Sequence, residues 1–400
     1  MAVASGFKPE GRSAIVTRSR ILATAAIVAT VVLGAQTWHK AFRPGGNDLT
    51  SYLLSARALW DGESPYGLDT PFPYIYPLFL AFALGPLVLL PYGAAVIGWF
   101  AASVAALGVV LRRTAGSALA AAAAVLVTFN VIQNNLLNGQ VNLFVVLCCV
   151  VAVASAAPPE GGHYVGAASH HRRALTAGAW LGAAIALKLM PVLLVVYFLV
   201  RRRFGAILAA GAIALVLALA PALLIRGSVE SGFSRITAVY SQYARELLMP
   251  MMTSPAGDAS LAYSVASVVQ RVFGIAPALW IDMLCAAAVL GTIAAVDVGR
   301  WRPRGDDLAA GAAYLAAITL ISPKSETHHL AFAIPAVALC CAWVFTEGWR
   351  AVRLPALLSA GALVAAPFAG AAEGPMVTAA MVLLIAAVMQ LPTSCIRQRA

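Results

Sequence analysis

The chain has 400 residues, of which 61% are hydrophobic and only 11% charged, with a formal net charge of +11. Ordinary soluble domains carry about a quarter charged residues, so this composition excludes a water-soluble globular protein and points to lipid. The positive charge does not indicate nucleic acid either: the basic residues form short clusters at the ends of apolar runs (Arg18 and Arg20, Arg112–Arg113, Arg172–Arg173, Arg201–Arg203, Arg300–Arg304, Arg350–Arg353, Arg397–Arg399), as cytoplasmic anchors do.

In chain order, residues 1–20 are a basic tail expected in the cytoplasm, and 21–37 a signal-anchor helix with no convincing Ala-x-Ala cleavage site. A polar segment, 38–73, follows as the first expected extracytoplasmic loop. Apolar runs come next at 74–90, 93–111, 117–132, 141–157, 175–200 and 205–224, interrupted by a flexible, solvated loop at 158–174 with three His. A second long outer loop is expected at 226–260, then runs at 275–298, 308–321, 329–346, 354–370 and 375–391. All are helical in length, rich in Ala, Leu and Val, and without the alternation of a membrane barrel. The expected fold class is all-α. Residues 1–400 form one integral unit, a polytopic transmembrane helical bundle of about twelve spans with interfacial helices in the first outer loop.

Twelve spans place both basic ends inside and the short loop 322–328 outside. Strict alternation leaves one conflict, because Arg112–Arg113 and the loop 170–175 fall outside and "QNNLLNGQVN" (133–142) inside. An incomplete span near 74–90, or a break in 175–200 at "LKLMP", would remove it. A mid-run Lys188 followed by Pro191 is awkward for one smooth helix, since the charge is costly and the Pro removes a backbone hydrogen bond. The run is therefore expected to be two pieces meeting near Lys188. The halves show no inverted repeat, which weakens a transporter reading.

Polar residues at span ends are the candidates for chemistry. After Gly45, Gly46 and Asn47, Asp48 opens a helix-like pattern that puts Tyr52, Leu53, Ala56, Leu59 and Trp60 near one face, with Trp60 at headgroup depth. Spacing alone leaves two readings of Asp48: helix N-cap, or a carboxylate presented at the membrane surface. "DTPFPYIYP" (69–77) suggests a rigid aromatic rim including Tyr76, and Gln140 and Asn142 could hydrogen-bond sugar hydroxyls. Lys188, Lys324, His328 and His329 suit contact with a phosphate. Adjacent His residues on a helix diverge by about 100°, so zinc is not expected; no acidic pair of the Asp-x-Asp type stands out, metal dependence is left open by the sequence, and no cofactor is indicated. The six Cys have no metal-ligand spacing and imply no disulfide framework.

The ordered set "RALWDGESPYG", "PFPYIYPLFLAF", "NGQVNLFVVL", "ALKLMPVLLVVYFLVRRRF" and "SPKSETHHL" resembles a bacterial family of GT-C membrane glycosyltransferases, over about residues 45–346. That family includes the mycobacterial polyprenol-phosphate-mannose-dependent α-1,2-mannosyltransferase of phosphatidylinositol mannoside synthesis. Two departures touch substrate contacts: Glu326 stands where the family has a Trp, and Asp258-Ala259-Ser260-Leu261, before Arg271, replaces an Asn-Gln-Ser-Leu-like stretch. The resemblance implies an inverting displacement in the bacterial plasma membrane, its site facing outward. The donor is a polyprenyl-phosphate sugar, mannose by default, and the acceptor a glycolipid or lipid-linked sugar. Asp48 takes the place of the base, and Lys188, Lys324 and the His pair face the leaving phosphate. The competing readings are a transporter or flippase of a lipid-linked sugar, and a membrane scaffold.

Overall fold

The computed structural model describes residues 12–157, 167–226, 232–249, 262–276, 278–300, 307–323, 325–347 and 354–391. Among them the polarity of a soluble protein is inverted. Large apolar side chains such as Ile27, Leu208, Leu215, Val216, Met283 and Leu284 are exposed, while Asn47, Asn135, Asn142, Lys188, Arg201 and Asp297 are buried. Exposed apolar helix faces around buried polar groups are what a lipid surround selects. Among the described residues, five helices are long and apolar enough to cross a membrane (Ile21–Ala41, Tyr92–Thr114, Phe204–Leu224, Leu279–Gly299 and Thr327–Thr346), or six if one bent pair counts as a span. The chain is thus a multi-pass helical membrane protein.

The first long helix, α1 (Arg12–Ala41), starts inside the expected basic tail. After a glycine turn, α2 (Asp48–Trp60) packs its Leu49, Tyr52, Ala56 and Leu59 inward. The run expected as one span at 74–90 is instead two short pieces, α3 (Leu78–Ala83) and α4 (Gly85–Val88), docked on α2. Pro77, Pro86 and Pro91 explain this, since no helix crosses three prolines spaced so closely. Next come α5 (Tyr92–Thr114), α6 (Ala118–Val127) and α7 (Phe129–Asn138). The last two bend by 74° at Thr128, whose hydroxyl bonds back to the Ala124 carbonyl at 2.7 Å.

Then follow α8 (Asn142–Ala156) and α9 (Ala167–Leu187), so residues 167–174 are helical rather than loop, while 158–166 lie outside the described residues. The expected break is present. Helix α9 stops at Leu187, Met190–Leu194 forms a 3-10 turn, and α10 (Val195–Val200) completes the run. Helix α11 (Phe204–Leu219) packs closely along α9. A Cβ on Gly178 would lie 2.7 Å from the Ala206 carbonyl, and one on Gly182 2.8 Å from that of Ala210. Small residues four apart let two backbones approach in a setting where the hydrophobic effect gives helices little reason to associate.

The remainder comprises α12 (Gly232–Gln242), α13 (Val265–Phe273), α14 (Leu279–Arg300), α15 (Asp307–Ile321), a 3-10 turn at Thr327–Ala333, α16 (Ile334–Glu347), α17 (Leu354–Ala365) and α18 (Glu373–Val388). Helix α15 is buried along almost its whole length and touches α8, α14, α16 and α18, so it forms the centre of the bundle.

A buried ion cluster fixes the C-terminal end of α10. Arg201 reaches Asp297 on α14 at 2.7 Å and Asp307 on α15 at 3.5 Å, and the Tyr197 hydroxyl donates to Asp307 at 3.3 Å. Taking one partner from such a pair leaves an uncompensated buried charge, at a cost of about 3–5 kcal/mol, against about 0–1 kcal/mol for an exposed pair. Asp297→Ala should therefore lower the thermal midpoint of the purified protein markedly. Asp61→Ala, which breaks the exposed Arg57–Asp61 contact at 3.8 Å, should leave it nearly unchanged. Equal melting of the two variants would show that the cluster is not a structural anchor.

Candidate active site

The start of α2 decides between the two readings of Asp48. Asn47 is the N-cap: its side chain accepts from the Thr50 N–H at 3.3 Å, and the Thr50 hydroxyl accepts from the Asn47 N–H at 3.2 Å. The cap role is filled, and Asp48 occupies the first helical position with its carboxylate turned to the α7–α8 turn. There the Gln140 side-chain NH2 donates to Asp48 Oδ2 at 2.8 Å.

Gly139 makes this contact possible. Its φ of +65° ends α7 in the left-handed region, and a Cβ there would sit 2.8 Å from that of Leu49. Asn47 donates to the Leu137 carbonyl at 3.2 Å and Trp99 to the Gly139 carbonyl at 2.9 Å, so the turn is pinned from both sides. Burial pushes the Asp48 carboxyl up to about 6, while the Gln140 hydrogen bond and the charges of Lys188 and Lys40 pull it down.

Tyr52 and Tyr76 meet behind Gln140. Their hydroxyls are 2.8 Å apart, and each lies 3.3 Å from the Gln140 carbonyl oxygen. Both rings are buried, so Tyr76 is not part of an exposed rim; of the 69–77 stretch, Phe72 is the exposed ring. Burial raises both hydroxyls above their ordinary range, which keeps them proton donors at neutral pH.

A second polar chain starts at Lys188 in the break after α9. Its ammonium donates to Asn142 Oδ1 at 2.8 Å and lies 5.5 Å from the centre of the Tyr76 ring. Asn142 in turn donates to Asn135 Oδ1 at 3.1 Å and to the His328 carbonyl at 3.0 Å, which also accepts from Asn135 at 3.0 Å. Tyr76 therefore touches both chains. His328 and His329 pack with ring centres 4.1 Å apart. His329 Nδ1 accepts the Glu326 N–H at 3.1 Å, so the neutral ring carries its proton on Nε2. Glu326 itself is exposed, 3.5 Å from His328 Nδ1.

Asp48, Tyr52, Tyr76, Gln140, Asn142, Lys188 and His328 are thus brought together, with His329 alongside. Lys324, and the stretch Asp258 to Leu261, lie outside the described residues. Arg271 donates to the Ser267 and Ala262 carbonyls at 3.3 and 3.0 Å and so serves its own helix end.

The sequence reading passes over three members. Asn135 links Asn142 to the His328 carbonyl, Lys40 at the end of α1 acts on Asp48, and Asn138 accepts from Lys40. The signal for them was available: a Lys one turn from the end of a span, and Asn130, Gln133, Asn134, Asn135 and Asn138 crowded into the ten residues of α7. Among the described residues no three His, Cys, Asp or Glu side chains converge as a metal site.

The class this defines is a multi-pass helical membrane protein with a carboxylate, buried carboxamides and lysines gathered where helices break. Residues 74–323 match glycosyltransferase family 87, and the chain belongs to that family. Two solved structures of ArnT from Cupriavidus metallidurans are similar at 15% identity. The one bound to undecaprenyl phosphate has a TM-score of 0.46 and covers 94% of this chain and 78% of ArnT; the apo one has 0.45, with 94% and 77%. No curated protein sequence matches the chain.

Gly139→Ala tests the architecture of the site. The left-handed backbone and the Leu49 contact both oppose it, and a non-glycine residue in that region costs about 1–2 kcal/mol before any clash. Sugar transfer by the purified variant should fall at least about tenfold, because a misplacement near 1 Å can cost two orders of magnitude. Wild-type turnover in a folded Gly139→Ala protein would show that the turn does not set the Asp48–Gln140 contact.

Proposed function

We propose that this protein is an inverting glycosyltransferase of the GT-C type. It moves a sugar, mannose by motif resemblance, from a polyprenyl phosphate to a glycolipid or lipid-linked acceptor, at the outer face of the bacterial plasma membrane. Family membership supports sugar transfer over a transporter. The observation that carries the mechanism is the Asp48–Gln140 contact, a carboxylate relieved of capping and set to ionise near pH 6.

The acceptor hydroxyl attacks the sugar C1 as the bond from C1 to the phosphate oxygen breaks. Asp48 takes the hydroxyl proton, and polyprenyl phosphate leaves with the bonding electrons. Negative charge grows on that phosphate, so prearranged donors matter more in the transition state than in the bound donor. Lys188 supplies the charge; its ammonium has three donors, of which Asn142 takes one. The Nε2–H of His329 is a second donor, and Lys324 keeps the role that the resemblance gives it. Tyr76 and Gln140, proposed from sequence as sugar contacts, support the base from behind.

Removing 74–90 as a span while splitting 175–200 in two keeps twelve crossings and resolves the charge conflict. Arg112–Arg113, Arg172–Arg173 and Arg201–Arg203 then face the cytoplasm, and 133–142 joins 38–73, 226–260 and 322–328 outside. Helix α2 lies at the interface, with Asp48 at the height of the phosphosugar. Cysteines placed at the exposed Glu63 and Glu326 should both react with an impermeant thiol reagent on intact cells. Labelling of either only after the inner face is opened would separate the two halves of the proposed site.

The main test is incubation of purified protein with polyprenyl-phosphate sugars, reading released polyprenyl phosphate. Asp48→Asn should reduce turnover by at least about a hundredfold, the usual loss when a general base is removed. A base must be ionised, so kcat/KM should fall as pH drops through about 6; burial lowers the Lys188 ammonium to about 7, so the rate should fall again as pH rises through that value and the cation is lost. Lys188→Met should lower kcat more than it raises KM. Near-normal turnover of Asp48→Asn would overturn the assignment of the base.

A further inference from the structure

Gln140 can sit in its pocket in two ways of equal shape. One presents NH2 to Asp48 and the carbonyl to the tyrosines, the other the reverse. Only the first satisfies every partner. The Tyr76 proton needs an acceptor, and Oε1 lies 3.3 Å away; the Tyr52 proton has the Tyr76 oxygen at 2.8 Å or the same Oε1 at 3.3 Å. After a flip, Oε1 would face the Asp48 carboxylate, acceptor against acceptor, where the donor bond is now 2.8 Å. The hydroxyl oxygens are held in place, since Tyr52 and Tyr76 pack edge to face at 5.0 Å and Tyr66 donates to the Tyr76 carbonyl at 3.0 Å; with the amide flipped, one hydroxyl could still donate to the other, but the second proton would lose its acceptor. The backbone is held too, by the bond from the Gln140 N–H to the Asn135 carbonyl at 2.9 Å.

We propose that Gln140 is a positioning residue, locked in one amide orientation by the Tyr52–Tyr76 hydroxyl pair, so that a donor always faces Asp48. The proposal rests on the reading of Asp48 as the base and adds what keeps that base ionised and aimed. Four other groups act on the carboxylate: Lys188 from the break after α9, Lys40 from the end of α1, and the Tyr52 and Tyr76 hydroxyls from α2 and the strap before α3. Two hydroxyls watch one carbonyl oxygen, so the lock is redundant: either tyrosine alone can hold the amide, and only loss of both lets it turn.

The experiment follows the titration of Asp48 itself by infrared difference spectroscopy of the purified protein, wild type minus Asp48→Asn, which needs no substrate. In Tyr52→Phe/Tyr76→Phe the freed amide can turn its oxygen toward Asp48, which favours the protonated acid, so the carboxyl should titrate about one pH unit higher. Each single Phe variant should shift it by a small part of that, so that the double shift clearly exceeds the sum of the two. A double variant titrating as the wild type does, or single shifts that simply add, would overturn the lock. If the double variant fails to fold, Gln140→Met replaces it: this removes the donor at similar volume and should raise the titration at least as far, an unchanged value again being contrary. The two readings separate cleanly. Asp48→Asn that still turns over defeats the base while leaving the titration result intact, whereas an inactive Asp48→Asn with unshifted Tyr variants defeats only the lock.

Discussion

A carboxylate withdrawn from water must be matched by donors and countercharges or it takes up a proton. That constraint organises the polar half of this bundle. Asp48 is matched by a carboxamide from the α7–α8 turn and by lysines from the end of α1 and the break after α9, so the α1–α2 region has to meet two segments about 90 and 140 residues further on at one point. Asn47 caps α2 and reaches the Leu137 carbonyl, so the helix that carries the carboxylate and the turn that carries its partner are fastened together. Gly139 is the small residue that lets the two surfaces close.

Breaks in helices serve this purpose. Backbone groups freed inside a membrane protein are tolerable where they line a polar, protein-walled space. The run through Lys188 opens beside Asn142 and Tyr76, and the bend at Thr128 turns α7 so that Asn135 and Asn138 reach the same region. At the other end of α10, Arg201 with Asp297 and Asp307 ties the short piece to α14 and α15. The ammonium is thus held by a segment clamped at both ends.

Much of this was legible in the sequence. Apolar runs and the Lys188–Pro191 pairing indicated the helices and the break. The aromatic stretch 69–77 was harder: its composition suits an exposed rim, yet Tyr74 and Tyr76 are buried, because three prolines prevent a span and fold the segment onto α2. Asn47 and Asp48 are equally good caps by residue type, and which one caps depends on a single backbone step. Lys40 and Asn135 were harder to single out, because which polar group of α7 meets Asn142 and the His328 carbonyl, and that Lys40 turns to Asp48 and Asn138, depends on contacts between helices rather than on residue type.

The piece after Lys188 has one more consequence. Met190–Val200 rises only about 19 Å by helix geometry, whereas a hydrocarbon core is about 30 Å thick. In the topology proposed above, the ammonium would sit below the level that headgroups occupy around the longer spans. If the donor is the proposed polyprenyl phosphate, it would meet that cation by drifting sideways while its tail is still in oil, and only its polar end would have to dip inward. Capture then depends on lateral diffusion in two dimensions, and on how far the surrounding leaflet thins to follow the notch.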